Sequence, residues 1–257
     1  MIIHNGVDLE LGMPESPLVN AIMHYNGNID IIQLLIDSGS DTTKALVFTC
    51  TIGNGNYDVC NLLVQSGAQL TTLSHSLLYY TSKTPLHYIS RCCSRNAWRI
   101  CNLFILADAD IEAICDDKTP LMAAVIHGHI SSVQCLLQHN ANVNYQQSTG
   151  TTCLHIAARL GKLDVCQLLI NFHADMEHIA YDRTPLMTAV IHGHISVVKY
   201  LLEHNADVNY KQISGTTCLH HAARLGKLDI YVNYYILMLA IWKQEIMMGL
   251  CMKSVEI

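Results

Sequence analysis

Charge is scarce in this chain: Asp, Glu, Lys and Arg make up 14% of its 257 residues, against 51% apolar residues. The formal net charge is −6 and the sequence pI near 6.2, which argues against a nucleic-acid backbone as partner. No Gly-rich phosphate loop and no G-x-S-x-G nucleophile turn occurs, so an enzyme is not expected. No early basic-then-apolar segment of the signal-peptide kind is present. The apolar run from Ile230 to Trp242 is too short to span a bilayer, and Asn233 interrupts it. The eleven cysteines include no Cys-x-x-Cys pair. Cys135, Cys153, Cys166 and Cys218 fall where related segments carry apolar or small residues, and they read as reduced core residues of an intracellular protein. A zinc site from Cys92, Cys93 and Cys101 is the alternative for those three thiols.

Repetition dominates what is present. Lys118-Thr119-Pro120-Leu121-Met122 returns as Arg183-Thr184-Pro185-Leu186-Met187, and Thr151-Thr152-Cys153-Leu154-His155 as Thr216-Thr217-Cys218-Leu219-His220, both 65 residues later. That unit divides again, because Leu121, Leu154, Leu186 and Leu219 are spaced by 33, 32 and 33. Such a period marks stacked units, none of which buries its own apolar face alone.

Each unit reads as two short helices and a turn. Thr119 is placed to cap a helix whose first position is Pro120, where a missing N–H costs nothing. Leu121 to Ile126 is apolar on most sides, with the small Ala123 and Ala124 permitting close neighbours. Gly128 ends this helix, and Ile130, Val133, Leu136 and Leu137 form one stripe of a second helix. Asn140 follows it. The matching positions hold Gly39, Gly67, Asp108, His173 and Asn205, residue types that accept positive φ, which predicts a left-handed cap.

These motifs resemble the ankyrin-repeat family: Thr-Pro-Leu-Met/His, then Ala-Ala, then Gly-His/Lys-Ile/Leu, then Asn-Ala-Asn/Asp-Val-Asn at 140–144 and 205–209. The resemblance implies an all-α solenoid of helix-turn-helix units with extended hairpin-like turns. Its expected extent is 1–230, with a partial repeat at 1–12 and repeats at about 16–41, 44–70, 83–112, 118–145, 151–178, 183–210 and 216–230. Residues 71–82 are a spacer longer than the other turns, expected to be an extended loop that can hold a helical turn at Leu77 to Tyr80. Ser94-Arg95-Asn96 replaces the usual inner Gly, which predicts an irregular turn.

Residues 231–257 match nothing earlier. If each codon's third base is read with the first two of the next, Asn233/Tyr234 and Tyr234/Tyr235 both force Leu. Trp242/Lys243 forces Glu, Met247/Met248 forces Asp and Met248/Gly249 forces Gly. The shifted frame can reproduce Cys166-Gln167-Leu168-Leu169 and Asp175-Met176-Glu177, so the tail is expected to be a frameshifted continuation of the eighth repeat. A divergent cap is the alternative.

The resemblance also implies a recognition surface. The two positions before the inner Gly face a concave groove: Ile126 and His127, Arg159 and Leu160, Ile191 and His192, Arg224 and Leu225. Asp117, Gln147, Tyr181, Arg183 and Gln212 lie at or beside the turn tips. This mixed apolar and cationic stripe suits a peptide with some acidic character. His87, His155 and His220 are expected to bond backbone. His127-x-His129 and His192-x-His194 have metal-ligand spacing, but they read as turn-fixing residues. Asn144 and Asn209, with Leu136 and Leu201 upstream, resemble the family's sites of asparaginyl hydroxylation, a modification the resemblance allows. The expected chain is a cytoplasmic, or also nuclear, monomer without cofactor or metal that acts as a scaffold or adaptor for a protein partner. The alternative is the ankyrin portion of a larger protein, such as a ubiquitin-ligase substrate receptor or a channel's cytosolic region.

Overall fold

The computed structural model describes residues 16–24, 28–51, 55–71 and 83–224. The partial repeat at 1–12, the spacer turn at Leu77 to Tyr80, Leu225 and the tail at 231–257 lie outside these residues. Thirteen α-helices, and no strand longer than an isolated bridge, occur among the described residues. The fold is an all-α ankyrin-repeat solenoid, and its contacts divide the chain into two compact units, one ending at Ala141 and one beginning at Asn142.

In the first unit the hairpins are α1 (Pro17–His24) with α2 (Ile29–Asp37), α3 (Thr42–Thr51) with α4 (Tyr57–Gln65), α5 (Pro85–Ser90) with α6 (Ala97–Leu106), and α7 (Pro120–His127) with α8 (Ile130–Gln138). First helices pack in one row (α1, α3, α5, α7) and second helices in another (α2, α4, α6, α8). The second unit repeats the plan with α9 (Cys153–Leu160), α10 (Leu163–Asn171), α11 (Pro185–His192), α12 (Ile195–Glu203) and α13 (Cys218–Arg224). There α11 lies between α9 and α13, and α12 packs on α10.

Local chemistry sets the helix ends. The hydroxyls of Thr119 and Thr184 accept from the Met122 and Met187 N–H groups at 3.3 and 3.2 Å, with Pro at the first helical position. Helix α3 has no Thr-Pro start and begins at Thr42, because the Asp41 carboxylate accepts from the Lys44 N–H at 3.0 Å. After the second helices, Asp108, Asn140, His173 and Asn205 all take φ between 62° and 64°, and Gly39 and Gly67 take φ of 89° and 84°. The predicted left-handed position is thus present in every hairpin that the sequence marked.

The core is aliphatic. Leu121, Leu154 and Leu186 are each the second residue of their helix and at most 1% exposed. Burying each such side chain contributes about 2 kcal/mol. Leu219 holds the same place in α13 but is half-buried. Cys135, Cys153, Cys166 and Cys218 are all buried in this packing as free thiols. Burial pushes Cys166 and Cys218 up to about 12, so they stay protonated and unreactive.

Candidate partner-binding face

Two kinds of hairpin tip alternate along the repeats. Cys115 and Ala180 exchange both backbone hydrogen bonds with Lys118 and Arg183 at 2.9–3.0 Å. The two residues between have positive φ, Asp116 and Asp117 at 51° and 59°, Tyr181 and Asp182 at 50° and 58°. These are two-residue type I′ turns. Gln147 and Gln212 instead close on Thr151 and Thr216 around three residues, with Gly150 and Gly215 at φ of 79° and 78°. The extra residue in each long tip accounts for the alternating 33, 32, 33 leucine spacing.

Histidines tie hairpins together. In His155 the Nε2–H donates to the Arg183 carbonyl at 3.0 Å while Nδ1 meets the Thr152 hydroxyl at 2.9 Å. A carbonyl only accepts, so Nε2 carries the proton and Nδ1 accepts from Thr152. Burial lowers this imidazole to about 4, outweighing the carbonyl's pull in the other direction. His87 repeats the arrangement in the first unit with Thr84 at 2.8 Å and the Lys118 carbonyl at 3.0 Å. His220 meets the Thr217 hydroxyl at 2.8 Å.

In both His-x-His motifs the second histidine spans to the preceding hairpin; the first does so only at His127. His129 Nε2 donates to the Arg91 carbonyl and His194 Nε2 to the Arg159 carbonyl, both at 2.9 Å. His127 accepts from Arg91 Nε at 3.2 Å, and His192 Nδ1 donates to the Thr188 carbonyl at 2.9 Å. The paired rings stack at 6.0 and 6.3 Å. Among the described residues no three His, Cys, Asp or Glu side chains converge as a metal site requires. Of the three thiols weighed as a zinc site, Cys92 and Cys101 are buried and Cys93 is exposed.

The expected recognition residues fall at first-helix ends and hairpin tips. In the second unit Arg159, Leu160, His192 and Arg224 are exposed and Ile191 is half-buried. In the first unit His127 is exposed and Ile126 half-buried. Tyr181 is 70% exposed at the centre of its tip, whereas Arg183 closes the turn and buries its Nε without a partner. Gln212 is occupied, donating to the Asp182 carbonyl at 3.0 Å and accepting from His221 at 2.8 Å. Asn144 and Asn209 are exposed. Asn144 bridges to the next turn, accepting from the Asp175 N–H at 2.8 Å and donating to the His173 carbonyl at 3.2 Å.

Several positions escaped the sequence reading. Glu177 does in the following repeat what Asn144 does, accepting from the Asp207 N–H at 2.8 Å. Its offset of 33 from Asn144 was the available signal. Asp182 accepts from the Tyr210 hydroxyl and the Ile213 N–H, both at 2.7 Å. Ile213, 95% exposed on the long tip, and His221, buried beside Arg224, carried no motif that singled them out.

The family model described as "Ankyrin repeats (3 copies)" matches residues 86–180 and 172–234, more than half of the chain. Among curated proteins, the chain is similar to mouse "Protein fem-1 homolog A-like", 39% identical over 109 residues, covering 42% of this chain and 16% of that protein. It is 27% identical over 233 residues to "Ankyrin repeat protein nuc-2" of Neurospora crassa, covering 88% of this chain and 18% of the relative. "Alpha-latrocrustotoxin-Lt1a" of Latrodectus tredecimguttatus is 31% identical over 131 residues, 49% of this chain and 9% of the toxin. The chain therefore spans less than a fifth of the length of each of these relatives. Ankyrin repeats are in general non-catalytic protein–protein interaction modules. On the match of its repeats, this chain belongs to the ankyrin-repeat family.

Proposed function

We propose that the chain is a non-catalytic scaffold or adaptor that binds a partner polypeptide across the first-helix ends and hairpin tips, the face that ankyrin repeats make concave. The supporting observation is recurrence. Arg159 with Leu160, then Ile191 with His192, then Arg224 hold the same place in successive hairpins of the second unit, and most of them are exposed. Ile126 and His127 hold it in the last hairpin of the first unit. A repeated exposed stripe is a better recognition surface than any single exposed residue. Leu225 belongs to the same pattern in sequence. The partner is a protein rather than a nucleic acid, and the chain acts as an intracellular, cytoplasmic or nuclear, monomer without cofactor. Among the described residues no helix is long and apolar enough to cross a membrane.

The test is partner capture by the full chain and by an Arg159→Glu/Arg224→Glu variant with an unchanged circular dichroism spectrum. Loss of capture is expected. Retained capture, together with loss in a variant altered on the outer helices at Lys199 and Glu203, would move the binding face to the other side.

A second reading is the repeat portion of a larger protein such as a substrate receptor or a channel. The share of the relatives covered, 16% and 18% of their lengths, favours it. Sequencing the full-length transcript decides between the two.

A further inference from the structure

We propose that Arg183, His221 and Arg224 form a seat for a side-chain carboxylate, so that the polypeptide bound here carries an Asp or Glu beside an apolar residue. This deepens the interaction reading above and rests on it. Arg224 Nη2 lies 3.5 Å from His221 Nδ1, and His221 Nε2 donates to Gln212 Oε1 at 2.8 Å. Because a guanidinium only donates, His221 Nδ1 must accept, which fixes the imidazole as neutral. Gln212 also joins His221 to the tip that carries Arg183, donating to the Asp182 carbonyl at 3.0 Å, and burial, then Arg224, Arg183 and His220, hold the His221 pKa below its ordinary value.

Among the described residues neither of these guanidinium groups has a carboxylate partner; the ion pairs there involve Lys44, Lys83, His178 and Lys199. Asp182, the neighbour of Arg183 in sequence, has both carboxylate oxygens taken by the Tyr210 hydroxyl and the Ile213 N–H. Arg183 moreover buries an unpartnered Nε, a donor that folding has left without an acceptor. A carboxylate that reaches Arg224 beside the neutral His221 gains a charge-assisted hydrogen bond, and the Arg183 charge favours it further. Tyr181 and Ile213, 70% and 95% exposed on adjacent tips, offer apolar contact for the residue beside the acid.

The test selects binders to the full chain from two libraries of short random peptides, one displayed as loops without a free carboxyl terminus and one with free carboxyl ends. Loop peptides with a recurrent Asp or Glu next to an apolar residue are expected. Changing that Glu to Gln should weaken binding about tenfold or more, the scale of one charge-assisted pair. Arg224→Gln should cause the same loss, with no further loss when both changes are combined. Should Arg183→Gln alter the circular dichroism spectrum, Arg224→Gln alone decides. Neutral or basic peptides that still lose binding in Arg159→Glu would overturn the carboxylate seat and leave the interaction reading intact. Binders found only with free carboxyl ends would overturn the side-chain assignment. If neither library yields a binder, both proposals fall.

Discussion

The first two hairpins and the second unit follow one plan but are held differently. In α2 and α4 the residue before the helix is Asn28 or Asn56, whose side chain accepts from the N–H groups two and three residues on at 3.0–3.4 Å. Those bonds are local and say nothing to the neighbouring repeat. At the same place before α12 stands His194, which makes no cap bond and reaches the Arg159 carbonyl of the preceding hairpin. His155, Glu177 and Asp182 add further bonds from one repeat of the second unit to the next. Identical helix pairs can thus be stabilised one by one or coupled in series. In a solenoid, stability is the sum of the two contributions, so the regions should respond differently to the same insult.

The widest separation is expected on acidification. His155 titrates at about 4 in the folded protein and near 6.5 when unfolded. Between these values the unfolded state binds more protons, so stability falls as the pH drops from about 7 to about 4. The loss approaches about 3 kcal/mol for this residue at the acid end. His87 and His221, also lowered mainly by burial, add in the same direction. Urea midpoints across this range should fall steeply, and His155→Gln should flatten the dependence. An equally steep profile in that variant would show that the coupling histidine is not the titrating group.

Glycine substitutions make a sharper contrast. Gly161 and Gly39 both have positive φ, 69° and 89°. A Cβ at Gly39 meets nothing within 4 Å, whereas one at Gly161 would overlap the His194 ring, 2.7 Å from Cε1 and 2.8 Å from Cγ. Gly39→Ala should therefore cost about 1 kcal/mol from backbone strain. Gly161→Ala should cost about 2 kcal/mol, because the His194 bond to the preceding hairpin is displaced as well. Equal costs by chemical denaturation would remove the distinction between local and coupled hairpins. Asn56→Ala, a cap loss with no neighbour involved, should cost about 1 kcal/mol and leave the amide protection of the second unit unchanged.

How far this contrast could be read from the sequence differs by level. The helix pairs, the Thr caps and the left-handed positions follow from local residue chemistry, and Thr119, Pro120 and Asn140 announced them. The helical character of the hairpin around Lys44 and Ala45 was legible, but its start at Thr42 was not, since Asp41 replaces the Thr-Pro signal by a carboxylate cap. His155 as a backbone-bonding residue was legible from its motif. That His194 rather than His192 would cross to the preceding repeat was not, because the choice depends on the space left by Gly161 in three dimensions. The seat at Arg183 and Arg224 is assembled from residues 41 positions apart, and no spacing rule joins them. What motifs report is each repeat's own needs, and contacts made with side chains outside the motif stay silent.

Tyr181 tests the smallest effect and the most functional one. Bulky side chains rarely sit at positive φ, yet Tyr181 is held at 50° with 70% of its surface exposed. The equivalent tip in the first unit carries Asp116, a residue type that tolerates this region better. With most of its surface exposed, the tyrosine offsets little of this backbone cost by packing, and such outliers cluster where side chains do something other than support the fold. Tyr181→Asn should raise stability by about 0.5–1 kcal/mol in thermal or chemical unfolding while weakening partner capture. A variant that gained stability and bound as well as the parent would leave the tip without a role in recognition. A variant that lost stability would mean that the ring packs against the hairpin more than its exposure suggests.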